Sequence, residues 1–319
     1  MASVSDATAY QLEQYALRRR PGFAERLRRS TIRFVRYKPL GAFGAVFVVI
    51  LLLMAAVPGL FPNTGNPDAN SIVNRFQGPS AEHWFGTDQF GRDLYTRIIY
   101  GARTSILIGT LVVLVSASVA TFLGVTSGYF GGIFDLLVQR VVDIGIALPG
   151  LIFIILVVTS LTQFPPAFLG LEPSGRVVVR IAVAVGALTA LGQSRVIRGA
   201  AIATKQNQYV EAARVIGASD ARIISRHVVP NVIPIIIIGA SIQIGGAILT
   251  ESSLAFLGYG VQPPTASWGR MLNEAREALS RHPHLAVFPG LAIFLTVYSF
   301  NMLGDALRDV LDPRLRGSR

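Results

Sequence analysis

"EAARVIGASDARIISRHVVPNVIPIII", residues 211–237, sets two charged, helix-forming runs around Gly217 and then passes through Pro230 into a block of isoleucines. Glu211–Ile216 has helical composition. Gly217 is a good residue to end it, since glycine takes the left-handed conformation just past a helix without a side-chain penalty. Ser219 fits the N-cap of a second helix, roughly Asp220–Val229, with Asp220 in its first turn, where a negative charge suits the helix dipole. Ile223, Ile224 and Val228 fall on one side of that helix and Arg222 and Arg226 on the other. Pro230 fits a helix start, and from Val232 onward the chain is apolar enough to enter a bilayer. The stretch reads as a helix–turn–helix elbow joined rigidly to a membrane span. Its apolar and small-residue face requires a partner.

Composition places the elbow in an integral-membrane chain. Of 319 residues, 51% are hydrophobic and 15% charged, too apolar for a soluble domain of this length. A hydrocarbon core needs about 20 mostly apolar residues per helical span. Leu40–Leu60, Ser105–Val125, Val141–Leu161, Val232–Leu249 and Leu285–Leu303 meet that requirement. Val177–Leu191 is shorter and carries Arg180, and it makes a sixth. Pro149 is expected to kink the third span.

Six spans put both termini on one side. The tail 1–39, the loops 127–140 and 192–231 and the tail after Leu303 hold twenty Lys and Arg, against eight in 61–103, 161–176 and 249–284. The positive-inside bias makes the first side cytoplasmic. The expected organisation is a basic N-terminal tail, 1–39, a six-span domain, 40–303, and a C-terminal tail, 304–319. An external segment, 61–103, and a cytoplasmic loop, 192–231, interrupt the domain. The net charge of +11 is then a topology signal: no soluble basic module exists to bind nucleic acid. "RRRPGFAERLRRSTIRFVRYK", residues 18–38, suits anionic lipid headgroups, and equally a solvated orienting run. The first apolar block is too long and too far in for a cleaved signal peptide.

Several chemistries are excluded. No cysteine is present, so disulfides, thiolate metal sites and Cys nucleophiles are absent. A phosphate-binding loop needs Gly-Lys-Ser/Thr, whereas Lys38 and Lys205, the two lysines, precede Pro and Gln. Any ATP-driven motor must be another chain. In "HWFGTDQFGRDLYTRIIYGART", residues 83–104, Gly86, Asp88 and Gly91 punctuate a turn, and Asp93–Tyr100 reads as a short helix along the membrane face, with Arg97 and Arg103 reaching headgroups. Asp88, Arg92 and Asp93 fit a turn and salt-bridge network, or a contact with an external protein. His282 and His284 read as loop residues before a span, and no metal site is assigned. Asp143, Arg180, Gln243 and Glu251 lie in or beside spans, where polar groups are costly and often functional. Asp143 sits near the cytoplasmic end, within reach of Arg groups. Arg180 and Glu251 fit the outer interface, Glu251 with a possible gating contact.

The elbow resembles the EAA loop of membrane subunits of ABC importers: EAA, three residues, Gly, nine residues, Ile, one residue, Leu, Pro. Glu211, Ala212, Ala213, Gly217 and Pro230 match at that spacing, while His227 and Val229 stand at the Ile and Leu positions. "FGTDQFGRDLYTRIIYGARTSILIG" (85–109), "ESSLAFLGYGVQPPTASWGRML" (251–272) and "FNMLGDALRDVLDPRLR" (300–316) resemble the second permease subunit of dipeptide/oligopeptide/nickel-type importers. The resemblance spans nearly everything after residue 80. It implies an all-α, type I importer fold and a non-catalytic chain that pairs with a homologous permease. It further implies two cytoplasmic P-loop ATPases, carrying the ATP and Mg, on the EAA loops, and an extracytoplasmic binding protein that delivers substrate. Residues 207–229 become the coupling element, with Ser219 and Asp220 joining the matched positions. The cargo is a di- or oligopeptide, or alternatively nickel or another small solute. From other classes, an ion-coupled transporter would favour paired ionisable groups at mid-membrane and a repeat architecture. An intramembrane enzyme would want a catalytic constellation within the spans.

Overall fold

The computed structural model describes residues 35–36, 38–161 and 170–311. Apart from 35, 36 and 38, the basic run at 18–38 lies outside them, as does the end of the C-terminal tail. Among the described residues the chain is almost wholly helical, and the one extended pairing is an isolated bridge between Thr87 and Asp93.

Five helices are long and apolar enough to cross a membrane: α1 (Pro39–Ala56), α2 (Leu94–Phe130), α5 (Pro173–Lys205), a continuous helix Asp220–Phe256, and α10 (His284–Leu311), through its 27 residues His284–Val310. The expected third span is not one kinked helix. It is a pair, α3 (Gly132–Ala147) and α4 (Gly150–Ser160), bent by 97°. A residue before proline is pushed out of the helical region, and Leu148 is extended, with ψ 140. Pro149 is extended as well, so the helix stops and restarts. The pair counts as a sixth span only if taken together.

The two longest helices extend past the apolar runs that mark them. α2 has 37 residues, about 55 Å at 1.5 Å per residue, against a hydrocarbon core of about 30 Å. It absorbs the short helix expected at Asp93–Tyr100, which forms its first turns. Asp93 is its N-cap, accepting from the Thr96 N–H at 2.7 Å. α2 packs along α5 through small residues, the device membrane helices use for close approach. A Cβ on Gly124 would lie 2.5 Å from the Ser194 carbonyl, and one on Gly186 2.8 Å from Val115 Cβ. In the same interior, Gln243 donates to Ser116 Oγ at 2.9 Å and satisfies both groups.

At the end of the bundle that carries the 61–93 segment, α9 (Trp268–Ala275) is tied to that segment through Glu274 and Arg92. Trp268 is fully buried and its indole N–H donates to the Ile98 carbonyl at 2.9 Å. Gly269 lies so close to α8 (Val229–Phe256) that a Cβ would meet Ser252 Cα at 2.5 Å. This end is therefore filled by residues from α2, α8, α9 and α10 together.

Candidate functional site: the elbow

α5 ends at Lys205, and Asn207 closes the corner by donating backbone and side-chain N–H to the Thr204 carbonyl, each at 3.1 Å. α6 (Gln208–Val215) follows. Its end is a Schellman motif: Gly217 N–H donates to the Arg214 carbonyl and Ala218 N–H to the Ala213 carbonyl, both at 3.0 Å. Gly217 has φ +83 with nothing within 4 Å of a Cβ, so glycine is required there for conformation and not for space. Ser219 occupies the N-cap position of α7 (Asp220–Ile223), but its side chain makes no capping hydrogen bond.

Pro230 does not start a new helix. α7 runs through a π-turn, Ile224–Val228, into α8 and onward as one 37-residue helix, Asp220–Phe256. A proline within a helix brings no N–H and crowds the preceding turn. The widened turn lies just before Pro230, and Asn231 Nδ2 donates to the His227 carbonyl at 2.6 Å. The elbow is therefore continuous with the span to which it is joined.

One face of the elbow is packed. Val210, Ala213, Ile223, Val228 and Val232 are buried with Val125 and Tyr129 of α2 and Ile197 and Ala201 of α5. The other face is bare. Val215 is 86% exposed and Ile216 84%. Glu211 and Ala212 are exposed beside them, and the Glu211 carboxylate, which feels the charge of Arg214, makes no hydrogen bond or ion pair among the described residues. Apolar side chains this open on an otherwise polar, rigid element mark an interaction surface. Asp220, by contrast, is engaged: it accepts from the Tyr129 hydroxyl at 2.6 Å.

Ion pairs surround this corner. Arg198 donates to both oxygens of Asp135, tying α5 to α3. Asp143 accepts from Arg195 and lies 3.7 Å from Arg140.

The external residues form a different assembly. Asp88 accepts from the Phe90 and Arg92 N–H groups at 2.8 and 3.0 Å and from Arg92 Nε at 2.6 Å. Arg92 also donates to Glu274 at 2.8 Å, and Arg270 donates to the other oxygen of Glu274 at 3.1 Å. Asp93 pairs with His83 Nδ1 at 2.9 Å. Arg97 does not reach headgroups. It is 1% exposed and lies within 3.8 Å of Asp88, Glu274 and Asp68, donating to the Pro67 carbonyl at 3.2 Å. Asp88 and Glu274 are buried with it while Asp68 is exposed, and their attraction offsets part of its desolvation. Glu251 is not at an interface: it is 0% exposed in α8, with Oε2 3.4 Å from the Ser252 hydroxyl and Oε1 unpartnered among the described residues. Arg180 is half-buried, and its Nε has no partner among the described residues. His282 stacks on Phe76 with ring centroids 4.7 Å apart.

Tyr129, Lys205, Arg97 and Glu274 are structural participants that sequence reasoning missed. Tyr129 stands just before Gly131 and Gly132, at φ +67 and +61, and that pair of helix-ending glycines is the one local sign of its position. Arg97 and Glu274 have no local sign, because they meet across 177 residues.

Residues 120–317 match the family described as "Binding-protein-dependent transport system inner membrane component". The chain is 41% identical over 285 residues, 89% of its length and 90% of the relative's, to the glutathione transport system permease protein GsiD of Escherichia coli O6:K15:H31. The GsiD protein of Shigella boydii serotype 4 is similar to the same extent, and that of Shigella dysenteriae serotype 1 is 40% identical. The family match over residues 120–317 and the identity to GsiD over 89% of the chain agree on one assignment: the chain belongs to the binding-protein-dependent inner-membrane permeases of ABC importers, as a non-catalytic transport subunit of the peptide/nickel type.

Proposed function

We propose that this chain is one of two permease halves of a di- or oligopeptide importer, with a homologous permease as the other half. Two cytoplasmic P-loop ATPases, carrying ATP and Mg, dock on the elbows, and an external binding protein delivers substrate. The observation that carries this reading is the rigid elbow with Val215 and Ile216 open to solvent beside Glu211, continuous with a membrane helix. An ATPase that grips this surface moves α8 as a lever, a rigid-body transmission. Glu211, Ala212 and the bare apolar pair form the grip, Gly217 sets the angle, and Ala213, Ser219, Asp220 and Pro230 fix the elbow to the body.

A peptide cargo is supported by relatives named for transport of glutathione, a tripeptide. The excess of basic residues in the tails and the elbow loop supports cytoplasmic termini. Outside, Asp88, Arg92 and Asp93 hold the surface that meets the binding protein, and Glu251 lies beneath it.

Mass spectrometry of the tagged chain, gently purified from its native host, tests the assembly. Recovery of a second permease and P-loop ATPases is expected, with the ATPases lost on Glu211→Arg or Gly217→Leu. Recovery of the chain alone, under conditions that preserve other ABC complexes, overturns the reading.

A further inference from the structure

The elbow meets the membrane body through three joints. Two are covalent: the corner at Asn207, where α5 passes into α6, and the joint to α8, the unbroken helix Asp220–Phe256. The third gathers on Tyr129, in the last turn of α2. Its ring is 2% exposed and packs in the same cluster as Val210, Ala213, Ile223 and Val228 of the elbow. Its hydroxyl donates to Asp220 Oδ1 at 2.6 Å and accepts from Arg214 at 3.4 Å. One phenol therefore ties the first turn of α7 to the last turn of α6. Its backbone carbonyl, which the end of α2 leaves without a helical donor, accepts from Lys205 Nζ at 2.5 Å, with the ammonium 5.3 Å from the ring centre. That cation suits the negative end of the helix. Phe130 follows, its ring edge-on to Phe134 of α3 with centroids 6.2 Å apart, and then Gly131 and Gly132 at φ +67 and +61, with nothing within 4 Å of a Cβ, turn the chain from α2 into α3.

We propose that Tyr129 is a positioning residue of the coupling step, the point through which movement of the elbow reaches α2. This rests on the elbow being the ATPase-docking element. By itself the joint to α8 tips that helix, and it contains the π-turn Ile224–Val228, where the regular ladder is already interrupted. The Tyr129 joint makes α2 follow. Since α2 is packed along α5 through Gly124 and Gly186, the displacement reaches the principal helix pair of the body. The phenol is suited to this: it donates and accepts at once and sits between an acid and a base, so the node is fully satisfied and rigid.

The test uses the whole complex, this chain with its sister permease, ATPases and binding protein, in proteoliposomes, and reads substrate transported per ATP hydrolysed. Tyr129→Phe keeps the ring in the cluster and the Lys205 bond to the carbonyl, and removes only the hydroxyl. The complex is expected to assemble, with the transport-to-hydrolysis ratio reduced about fivefold, the low end of typical coupling between sites. Asp220→Ala is expected to give a similar loss, and Tyr129→Phe/Asp220→Ala no more than either alone, since both remove the same link. A merely structural role would lower the yield and leave the ratio of the assembled complex unchanged. An unchanged ratio overturns the proposal, as do additive losses, and so does a Tyr129→Phe complex that loses its ATPases, which would place the residue in docking. Failure of the elbow reading itself is separate: Glu211→Arg and Gly217→Leu would then retain the ATPases.

Discussion

The two polar ends of this molecule are built on opposite terms. At the end that the charge bias reads as external, the charges are inside: Arg97, Arg92 and Asp88 are 1%, 5% and 6% exposed, paired among themselves and with Glu274. At the elbow the apolar groups are outside: Val215 and Ile216 are 86% and 84% exposed, and the Glu211 carboxylate has no ion pair among the described residues. Burying charge is costly unless it is matched, and here the matching groups all come from one chain. Leaving apolar surface in water is also unfavourable, and an element that does so gains by meeting another chain. The charge frame of the external end is finished within this chain, whereas the proposed function makes the elbow half of an interface.

The largest expected effect is at the finished end. Arg97→Ala leaves Asp88 and Glu274 facing Arg92 and Arg270 with one buried cation fewer. Removing one partner of a buried ionic cluster typically costs about 3–5 kcal/mol. Thermal unfolding of the purified complex, followed by loss of monodisperse protein, is expected to shift down sharply for this variant. A variant as stable as the parent would mean the external charges are solvated and the contrast with the elbow is false.

At the elbow the same logic predicts a loss in binding and almost none in stability. Val215→Asp/Ile216→Asp changes side chains that touch little of their own chain, and exposed substitutions usually stay within about 0.5 kcal/mol. Truncating or charging anchors at the centre of an interface costs about 2 kcal/mol or more, which is about thirtyfold in affinity. Titration of the purified ATPase onto the reconstituted permease pair measures it. A destabilised permease with unchanged ATPase affinity would place these residues in the fold and not on its docking face.

How much of this was legible beforehand follows from the range of each interaction. Apolar runs are local, and five of the six fall in helices long enough to span, while Val141–Leu161 falls on the bent pair α3 and α4. The helix end at Gly217 was legible too, because a Schellman motif is set within a few residues. The continuity of Asp220–Phe256 was not: Pro230 permits either a helix start or an interior position with a widened turn, and packing of Ile223 and Val228 against α2 favours the second. Pro149 announced a disturbance but not its 97° size, which depends on Leu148 becoming extended as well. Arg97 was misread because its partners lie 29 and 177 residues away; from periodicity alone a cation at the start of an external helix belongs to the headgroups. Tyr129 is the same case on the inner side: Asp220, 91 residues on, gives its hydroxyl a purpose.

The smallest expected effect falls between the two regimes and shows where one gives way to the other. Arg198 meets both oxygens of Asp135, but the arginine side chain is 32% exposed and the aspartate 16%. Water therefore competes with the pair, as it does not around Arg97. Exposed ion pairs contribute about 0.2–1 kcal/mol, and Asp135→Asn keeps one oxygen to accept from the guanidinium, so its cost belongs near that range. Thermal unfolding of Asp135→Asn beside Arg97→Ala makes the measurement relative, which cancels detergent and lipid effects common to both. A loss as large as that of Arg97→Ala would mean that α3, which turns through 97° into α4, depends on this one pair for its seat on α5. The cytoplasmic end would then share the buried-charge logic of the external end, and only the elbow itself would remain unfinished.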